Sequence, residues 1–248
     1  MVFLGFALGA WFSLRQARRA ELDPNVVIDA VLWILVSSII GARLTYVVFH
    51  PAEFAGRWLD VVNPIQSDGR IGIAGLVVLG GFVFAVPAVW LFARKRKLSP
   101  WFLMDVLAPG AALGIGLGRI GCFLNGCCFG HPTSLPWGVV FPTTCLAGSV
   151  YPHQSIHPTQ LYEVLYSFAI AAFLVWQSRR SHFTGELIVQ LLILYGFFRF
   201  LNETIRYYET SMVLFNIGCF RMTLSMMISV VMVIGGSVIW LKKARPSS

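Results

Sequence analysis

Long apolar stretches recur along this chain and constrain its fold more than any other feature of the sequence. A helix that crosses the hydrocarbon core of a bilayer needs about 20 mostly apolar residues. None of the stretches alternates strictly between apolar and polar residues, as a barrel strand would. We therefore predict an all-α membrane protein, a single polytopic domain over residues 1–248 with a bundle of seven transmembrane helices. The predicted spans are residues 1–14, 26–49, 71–93, 102–124, 160–176, 186–200 and 220–241.

The composition agrees with a membrane protein and argues against a nucleic-acid-binding one. Hydrophobic residues make up 57% of the chain and charged residues only 12%, whereas a soluble domain carries about 25% charged residues. The net charge of +8 comes from short basic clusters at the ends of the spans, where Lys and Arg meet anionic lipid. No segment resembles a nucleic-acid-binding module.

The basic clusters also predict the orientation. They follow spans one, three, five and seven, so that each odd-numbered span ends in a cationic segment. Cytoplasmic loops are enriched in Lys and Arg. We therefore expect the N-terminus outside and the C-terminus in the cytoplasm. The clusters are Arg15/Arg18/Arg19, Arg94–Lys97, Arg179/Arg180 and Lys242/Lys243/Arg245.

The first stretch is shorter than the others. Residues 1–14 alone fall short of the hydrocarbon thickness, and such a mismatch has to be relieved by tilt or by thinning of the bilayer. We expect the natural start of this span to lie upstream of Met1.

Ionisable and polar residues gather near the predicted outer ends of the spans. Such residues are costly inside a membrane and are candidates for function. Because they all fall on one side, we predict one functional site there. The candidates are Arg43 in span two, Arg119 in span four, His157, Gln160, Tyr162 and Glu163 at the start of span five, and Tyr195, Arg199, Glu203 and Arg206 at the end of span six.

The group in span six has helical spacing. Tyr195, Arg199 and Glu203 lie four residues apart and Arg206 follows by three, so one helix face presents all four. An Arg held by a Glu at headgroup depth can bind an anion. The alternative is that Arg199 and Glu203 only neutralise each other.

Span four ends in a glycine-rich segment, residues 118–130. Glycines here allow the backbone to leave the helix and line a cavity, where Arg119 and Asn125 supply hydrogen-bond donors. A glycine-rich helix end with an Arg that extends toward the interface is the alternative.

The cysteines do not predict a metal centre. Cys122, Cys127 and Cys128 lack paired C-x-x-C spacing and a nearby His, which a zinc site usually has. We expect no metal and no cofactor. A disulfide involving Cys145 and a redox role of Cys127 and Cys128 are open alternatives.

At three of these segments the sequence resembles the prolipoprotein diacylglyceryl transferase family, and the resemblance runs over nearly the whole chain. It begins at Gly5-Phe6 and Ile40-Gly41-Ala42-Arg43-Leu44. Its most specific segments are Gly118-Arg119-Ile120-Gly121 with Asn125-Gly126 and Gly130, His157-Pro158-Thr159-Gln160-Leu161-Tyr162-Glu163, and Tyr195-Gly196-Phe197-Phe198-Arg199 with Glu203 and Arg206.

The resemblance implies transfer of the diacylglyceryl group of phosphatidylglycerol to the lipobox cysteine thiol of a prolipoprotein, with release of glycerol 1-phosphate. It also implies a monomer in the bacterial cytoplasmic membrane, with its site toward the outer leaflet. Arg119 and Arg199 would bind the phosphate, and Glu203, together with Tyr195, would orient Arg199. His157 would belong to the catalytic group. The remaining candidates (Arg43, Asn125, Gly130, Gln160, Tyr162, Glu163 and Arg206) would bind substrate.

The chain departs from the family pattern in the part that would supply a base. The family usually has Asn where Cys122 stands and Glu where Cys127 stands. Its His-Gly-Gly segment falls here on Leu79-Gly80-Gly81 or on Ala74-Gly75-Leu76, neither of which contains a His. His157, Glu163 or a water are open as the base. Two other functions also stay open, a paralogue that acts on another acceptor or lipid and an anion transporter.

Overall fold

The computed structural model describes residues 2–49, 51, 78–180, 183–208, 213–217 and 220–244. Helices dominate the described residues, and four short strands lie between them. The helices are α1 (Val2–Arg19), α2 (Pro24–Phe49), α3 (Val78–Lys95), α4 (Pro100–Leu124), α5 (Leu146–Val150), α6 (Thr159–Gln177), α7 (Glu186–Thr204) and α8 (Leu224–Ala244). The strands are β1 (Val139–Val140), β2 (Ser155–Ile156), β3 (Val213–Ile217) and β4 (Phe220–Thr223).

Five of these helices, α2, α4, α6, α7 and α8, are long and apolar enough to cross a membrane. The chain is therefore an all-α, multi-pass membrane protein, as its hydropathy predicts. Helices α1 and α3 lie on the first and third predicted spans, of which residues 71–77 fall outside the described residues.

The surfaces of the spanning helices suit contact with lipid. Leu32 and Val36 on α2, and Val231 and Ile234 on α8, are each more than half exposed. Burial inside the protein does not account for such apolar side chains, whereas a hydrocarbon solvent does.

The prediction that the seventh span begins at residue 220 is wrong. Residues Phe220–Thr223 form β4, which pairs antiparallel with β3 in a hairpin, with Asn216 opposite Arg221. The helix begins only after Thr223, whose Oγ1 accepts the backbone N–H of Met226 at 3.2 Å, the geometry of an N-cap. A short apolar run next to a helix has the same hydropathy whether it is strand or helix.

Helices α1 and α7 extend furthest beyond the predicted spans. Helix α1 continues to Arg19 instead of ending at residue 14, and α7 continues to Thr204 instead of ending at residue 200. A span predicted from hydropathy ends at the last apolar residue, whereas the helix itself continues through the polar residues that follow. The longer α7 contains Glu203, which belongs to the candidate site.

The chain divides into two compact units, one of residues 1–20 and 104–248 and one of residues 21–103. Within each unit, glycines let helices pack closely, as expected from their positions. A Cβ on Gly9 of α1 would lie 2.8 Å from the carbonyl oxygen of Gly110 on α4, and a Cβ on Gly41 of α2 would lie 2.5 Å from the Cβ of Phe84 on α3.

The first unit has an apolar core between α4, α6 and α7. Ala108, Ala112, Ile170, Leu174 and Leu191 are buried there. Small residues on α4 against larger ones on α6 and α7 bring the three helices close together. The candidate site lies at one end of this core.

A buried carboxylate stabilises the opposite end of α7. Asp105 of α4 accepts the backbone N–H of Gly185 at 2.6 Å and that of Ile188 at 2.9 Å. The first backbone N–H groups of a helix have no partner within the helix, and the helix dipole favours a negative charge there. Asp105 therefore fixes α7 against α4.

We expect Asp105→Ala to lower the free energy of unfolding by about 3 kcal/mol, because it leaves two buried N–H donors without acceptors. Thermal unfolding of the detergent-solubilised protein measures this. Asp29→Ala is the matched control, since Asp29 forms an ion pair with Arg96 in which both side chains are about half exposed and which contributes at most about 1 kcal/mol. Equal losses for the two variants would contradict the role of Asp105.

Candidate active site

Four helices bring their charged and polar ends together in the first unit. Arg119 lies in the last turns of α4, Glu163 in the first turns of α6, and Ser225 at the start of α8. Helix α7 presents Tyr195, Arg199 and Glu203 from its second half, one turn apart. Residues that the sequence places in separate motifs are therefore neighbours in space.

Glu163 is the centre of this cluster. Its Oε1 lies 3.0 Å from Nε of Arg119 and its Oε2 lies 2.6 Å from Nη1 of Arg199. The Tyr195 hydroxyl donates to Oε1 at 2.7 Å. The side chain of Glu163 is 2% exposed. A single buried carboxylate thus holds two guanidinium groups from different helices.

A second carboxylate extends the network. Glu203 forms ion pairs with Arg199, one turn earlier on α7, and with Arg206, whose Nη1 lies 3.2 Å from Oε1. Arg199 therefore lies between Glu163 and Glu203. The ion pair between Arg199 and Glu203 is present, as the alternative interpretation of the sequence expects. Arg199 also contacts Glu163 and so connects α7 to α6, which means that the two groups do more than neutralise each other.

Ser225 completes the cluster. Its hydroxyl donates to Oε1 of Glu203 at 2.8 Å and accepts from Nε and Nη2 of Arg199 at 3.2 and 3.1 Å. Ser225 is not among the site residues predicted from the sequence. Its position two residues after the N-cap Thr223 is a local signal, but only the contact with α7 shows its role.

Three arginines and two glutamates leave one positive charge in excess within this cluster. Several buried atoms also have no hydrogen-bond partner among the described residues, including Oε2 of Glu203, Nε of Arg206 and Oε1 of Gln160. Buried polar groups are normally satisfied. The surplus charge and the unpaired Nε of Arg206 suit an anionic ligand, and the two unpaired oxygens suit hydroxyl donors of the same ligand.

The chain turns back on itself after α4. The backbone N–H of Gly126 donates to the carbonyl of Phe123, and that of Cys127 donates to the carbonyl of Cys122, both at 3.1 Å. Gly126 has φ +63°, as expected of the glycine that ends a helix in a Schellman motif. The turn places Cys127 over the last turn of α4.

This turn assembles three thiols. The Sγ atoms of Cys122, Cys127 and Cys128 all lie within 4.8 Å of one another, and all three thiols are free. Sequence spacing did not predict this group, because the approach of Cys122 and Cys127 depends on the backbone turn.

The loop that carries two of these thiols is held by the start of α6. Thr159 donates its hydroxyl to the carbonyl of Cys128 at 2.8 Å, and Gln160 donates its amide to the carbonyl of Cys127 at 2.6 Å. Gln160 lies one turn before Glu163. The thiols and the carboxylate are therefore positioned by the same turn of α6.

The environment of Cys128 favours its thiolate. A hydrogen bond from the Cys122 thiol, assisted by the charges of Arg206 and Arg119, lowers the pKa of Cys128 to about 5 against the opposing effect of burial. Burial, followed by the nearby Cys128, raises the pKa of Cys127. The cluster thus concentrates negative charge at Cys128.

Other predicted site residues have separate surroundings. Nδ1 of His157 lies 3.1 Å from the Tyr162 hydroxyl, which also accepts from Nε1 of Trp137 at 2.8 Å. Asn125 is exposed at the end of α4. Arg43 belongs to the second unit, where its guanidinium lies 5.9 Å from the ring centre of Tyr46.

Gly130 has a backbone role. Its N–H donates to the carbonyl of His157 at 3.0 Å, and it pairs with Arg206 as an isolated β-bridge. A Cβ at this position would lie 2.6 Å from the Cβ of His157 and 2.8 Å from Cγ2 of Thr159. A glycine is therefore needed for the loop to reach both α6 and the end of α7.

Comparison with known proteins gives a match over nearly all of the chain. The profile of the family described as prolipoprotein diacylglyceryl transferase matches residues 1–242. The chain belongs to this family. The resemblance that the three sequence segments indicate is thereby confirmed.

Curated relatives named phosphatidylglycerol–prolipoprotein diacylglyceryl transferase are similar over much of their length. The protein from Bordetella avium is 32% identical, with 100% of this chain and 90% of the relative covered. The protein from Finegoldia magna is 30% identical over 98% of this chain and 88% of the relative. The protein from Synechococcus elongatus is 35% identical over 70% of this chain, and that match spans 58% of the relative.

The contact geometry predicts a role for Ser225 in this family member. Ser225→Ala removes hydrogen bonds to two charged groups, and one such bond contributes about 1.5–3 kcal/mol. We expect a drop of about 10- to 100-fold in the rate of diacylglyceryl transfer to a lipobox peptide in proteoliposomes.

Ser229→Ala is the matched control on the same helix, because the Ser229 hydroxyl donates within α8, to the carbonyl of Ser225 at 2.8 Å. We expect it to keep nearly the full rate. A Ser225→Ala variant as active as Ser229→Ala would contradict the role of Ser225.

Proposed function

We propose that this protein transfers the diacylglyceryl group of phosphatidylglycerol to the lipobox cysteine thiol of prolipoproteins and releases glycerol 1-phosphate. The observation that carries the proposal is the pair of arginines, Arg119 and Arg199, held by the buried carboxylate of Glu163. Membership of the family supplies the substrate class. The names of the relatives specify the same lipid and acceptor.

The phosphate diester of the lipid would bind at the arginines. A guanidinium matches the geometry of phosphate oxygens and stays charged in a membrane. Glu163 and Glu203 hold the guanidinium groups in place before the lipid arrives, so that little reorganisation accompanies binding. The surplus positive charge of the cluster offsets the charge of the phosphate.

The same groups would stabilise the leaving group. When the acceptor sulfur attacks the glyceryl carbon, the carbon–oxygen bond breaks and charge grows on the departing phosphate. Preorganised donors aimed at developing charge in a water-poor site are a large source of catalysis. Holding the thiol and the lipid side by side adds the contribution of proximity.

The other predicted residues would act around this centre. Tyr195 fixes Glu163 by its hydrogen bond, and Arg206 adds a third cation beside Glu203. Gln160, Gly130 and Asn125 shape the loop over the site. We assign His157, Tyr162 and Arg43 to substrate contacts, with His157 retained as a candidate catalytic group.

Topology follows the same proposal. We propose one polytopic domain with seven spans, in which α1 and α3 also cross the bilayer, acting as a monomer in the bacterial cytoplasmic membrane. Basic residues in the last turns of α1, α3 and α8 support an N-terminus outside and a C-terminus in the cytoplasm. The site would then face the outer leaflet, where a prolipoprotein presents its lipobox.

A depletion strain tests the proposal. The wild-type chain should restore lipid labelling of a lipobox substrate, and Arg119→Ala and Arg199→Ala should each abolish it, because each removes a guanidinium from the phosphate site. The mass of the recovered lipoprotein measures the transfer. Arg180→Ala is the control, since Arg180 lies beyond the end of α6 over the ring of Trp176.

Unchanged labelling in both arginine variants would refute the site. Failure of the well-expressed wild-type chain to rescue the strain would refute the acceptor or lipid assignment and favour a paralogue with another substrate.

A further inference from the structure

The three-cysteine cluster carries an inference beyond the phosphate site. We infer that Cys122, Cys127 and Cys128 bind a thiophilic cation of the zinc class and that its open fourth position binds the acceptor thiol as a thiolate. The second part of this inference rests on the proposed function. The metal-binding part depends only on the arrangement of the three cysteines and not on the proposed function.

The spacing of the sulfur atoms suits one metal ion. In a tetrahedral site with Zn–S bonds of about 2.3 Å, neighbouring sulfurs are about 3.8 Å apart. The three Sγ atoms lie within 4.8 Å of one another and are free thiols. Three soft ligands at such distances select zinc and similar cations over calcium or magnesium.

The ligand set is positioned by the fold and not only by sequence proximity. The Schellman turn at Gly126 brings Cys127 back over Cys122, and Cys128 has a left-handed backbone with φ +64°. A non-glycine residue in that conformation costs free energy and is held by its surroundings. Thr159 and Gln160 hold it here through the carbonyls of Cys128 and Cys127.

The charges nearby also fit. Zinc neutralises two of the three thiolate charges, and Arg119 supplies a positive charge on the same helix. Arg119 and Cys122 are three residues apart on α4, so that they share one helix face.

Three protein ligands leave a fourth position open, which is the arrangement of catalytic and not of structural zinc sites. A thiol that coordinates zinc is deprotonated. The site therefore offers a means of forming the nucleophile without the histidine of the family's His-Gly-Gly segment. The phosphate site and the thiolate would be adjacent, because α4 and α6 position both.

The step balances without any oxidant or reductant. The acceptor thiol loses its proton to water as its sulfur binds the metal. That sulfur then forms a bond to the glyceryl carbon, and the carbon–oxygen bond to phosphate breaks. The electron pair goes to the phosphate oxygen of the departing glycerol phosphate, and the thioether, a weak ligand, leaves the metal.

Metal binding is tested first, with the reduced, detergent-solubilised full chain. We expect it to bind one Zn²⁺, and one Co²⁺ with an intense thiolate-to-cobalt charge-transfer band. Cys122→Ser, Cys127→Ser and Cys128→Ser should each weaken Zn²⁺ binding by at least about 100-fold, since loss of an outer-shell group alone costs about 10- to 100-fold.

Cys145→Ser is the matched control, because Cys145 lies outside the cluster and donates its thiol to the carbonyl of Pro142. Its Zn²⁺ affinity should be unchanged. No equimolar binding by the reduced protein, or binding that the three serine variants leave unchanged, would overturn the site. A disulfide within the cluster in freshly alkylated membranes, without metal binding after reduction, would also overturn it.

The open position is tested by adding a lipobox peptide to the Co²⁺-loaded protein. The charge-transfer band should increase with a cysteine peptide and stay unchanged with its serine counterpart. An unchanged spectrum with both peptides would overturn acceptor binding at the metal.

Transfer assays separate this inference from the proposed function. We expect transfer to be lost on chelation and restored by Zn²⁺, while Arg199→Ala loses transfer but keeps its zinc. Full transfer by the serine variants would overturn the metal's role and leave the proposed function standing. Zinc binding without any transfer by the wild type would refute the proposed function and leave the metal site standing.

Discussion

One buried carboxylate determines the arrangement of the candidate active site. Glu163 on α6 contacts Arg119 of α4 and Arg199 of α7, and Tyr195 donates to the same carboxylate. Breaking a buried ion pair of this kind costs about 3–5 kcal/mol, because it leaves an uncompensated charge. The helices are therefore fixed where their charged ends meet. The same contact holds both guanidinium groups ready for an anion, so that packing and binding depend on one group.

The architecture could be predicted from the sequence because a bilayer imposes a simple rule. Apolar length identified the five spanning helices, and helical spacing correctly placed Tyr195, Arg199 and Glu203 on one face of α7. Arg206 was wrongly included on that face, because α7 ends at Thr204 and Arg206 pairs with Gly130 in a β-bridge. Glycines marked the close contacts between helices, as at Gly9 and Gly110. These signals are local or periodic, so they are readable from one chain. The prediction was wrong where an apolar run forms a strand, at Phe220–Thr223.

What the sequence did not predict depends on contacts between distant segments. Ser225 joins Arg199 and Glu203 only because the start of α8 packs against the end of α7. Asp105 caps a helix that begins about 80 residues later in the chain. The three thiols form a group only after Gly126 turns the backbone. Spacing rules for zinc sites look for paired C-x-x-C ligands or a nearby His, so they do not detect three cysteines that a turn at a helix end brings together.

The central claim is that Glu163 and the arginines act as one unit in diacylglyceryl transfer, and a double-mutant cycle tests it most directly. The catalytic efficiency of purified protein in proteoliposomes would be measured for the wild type, Glu163→Gln, Arg119→Gln and the double variant. We expect each single variant to lose about 100-fold and the double variant to lose little more, because groups that act as a unit are not additive. Losses that multiply, to about 10,000-fold in the double variant, would contradict the account.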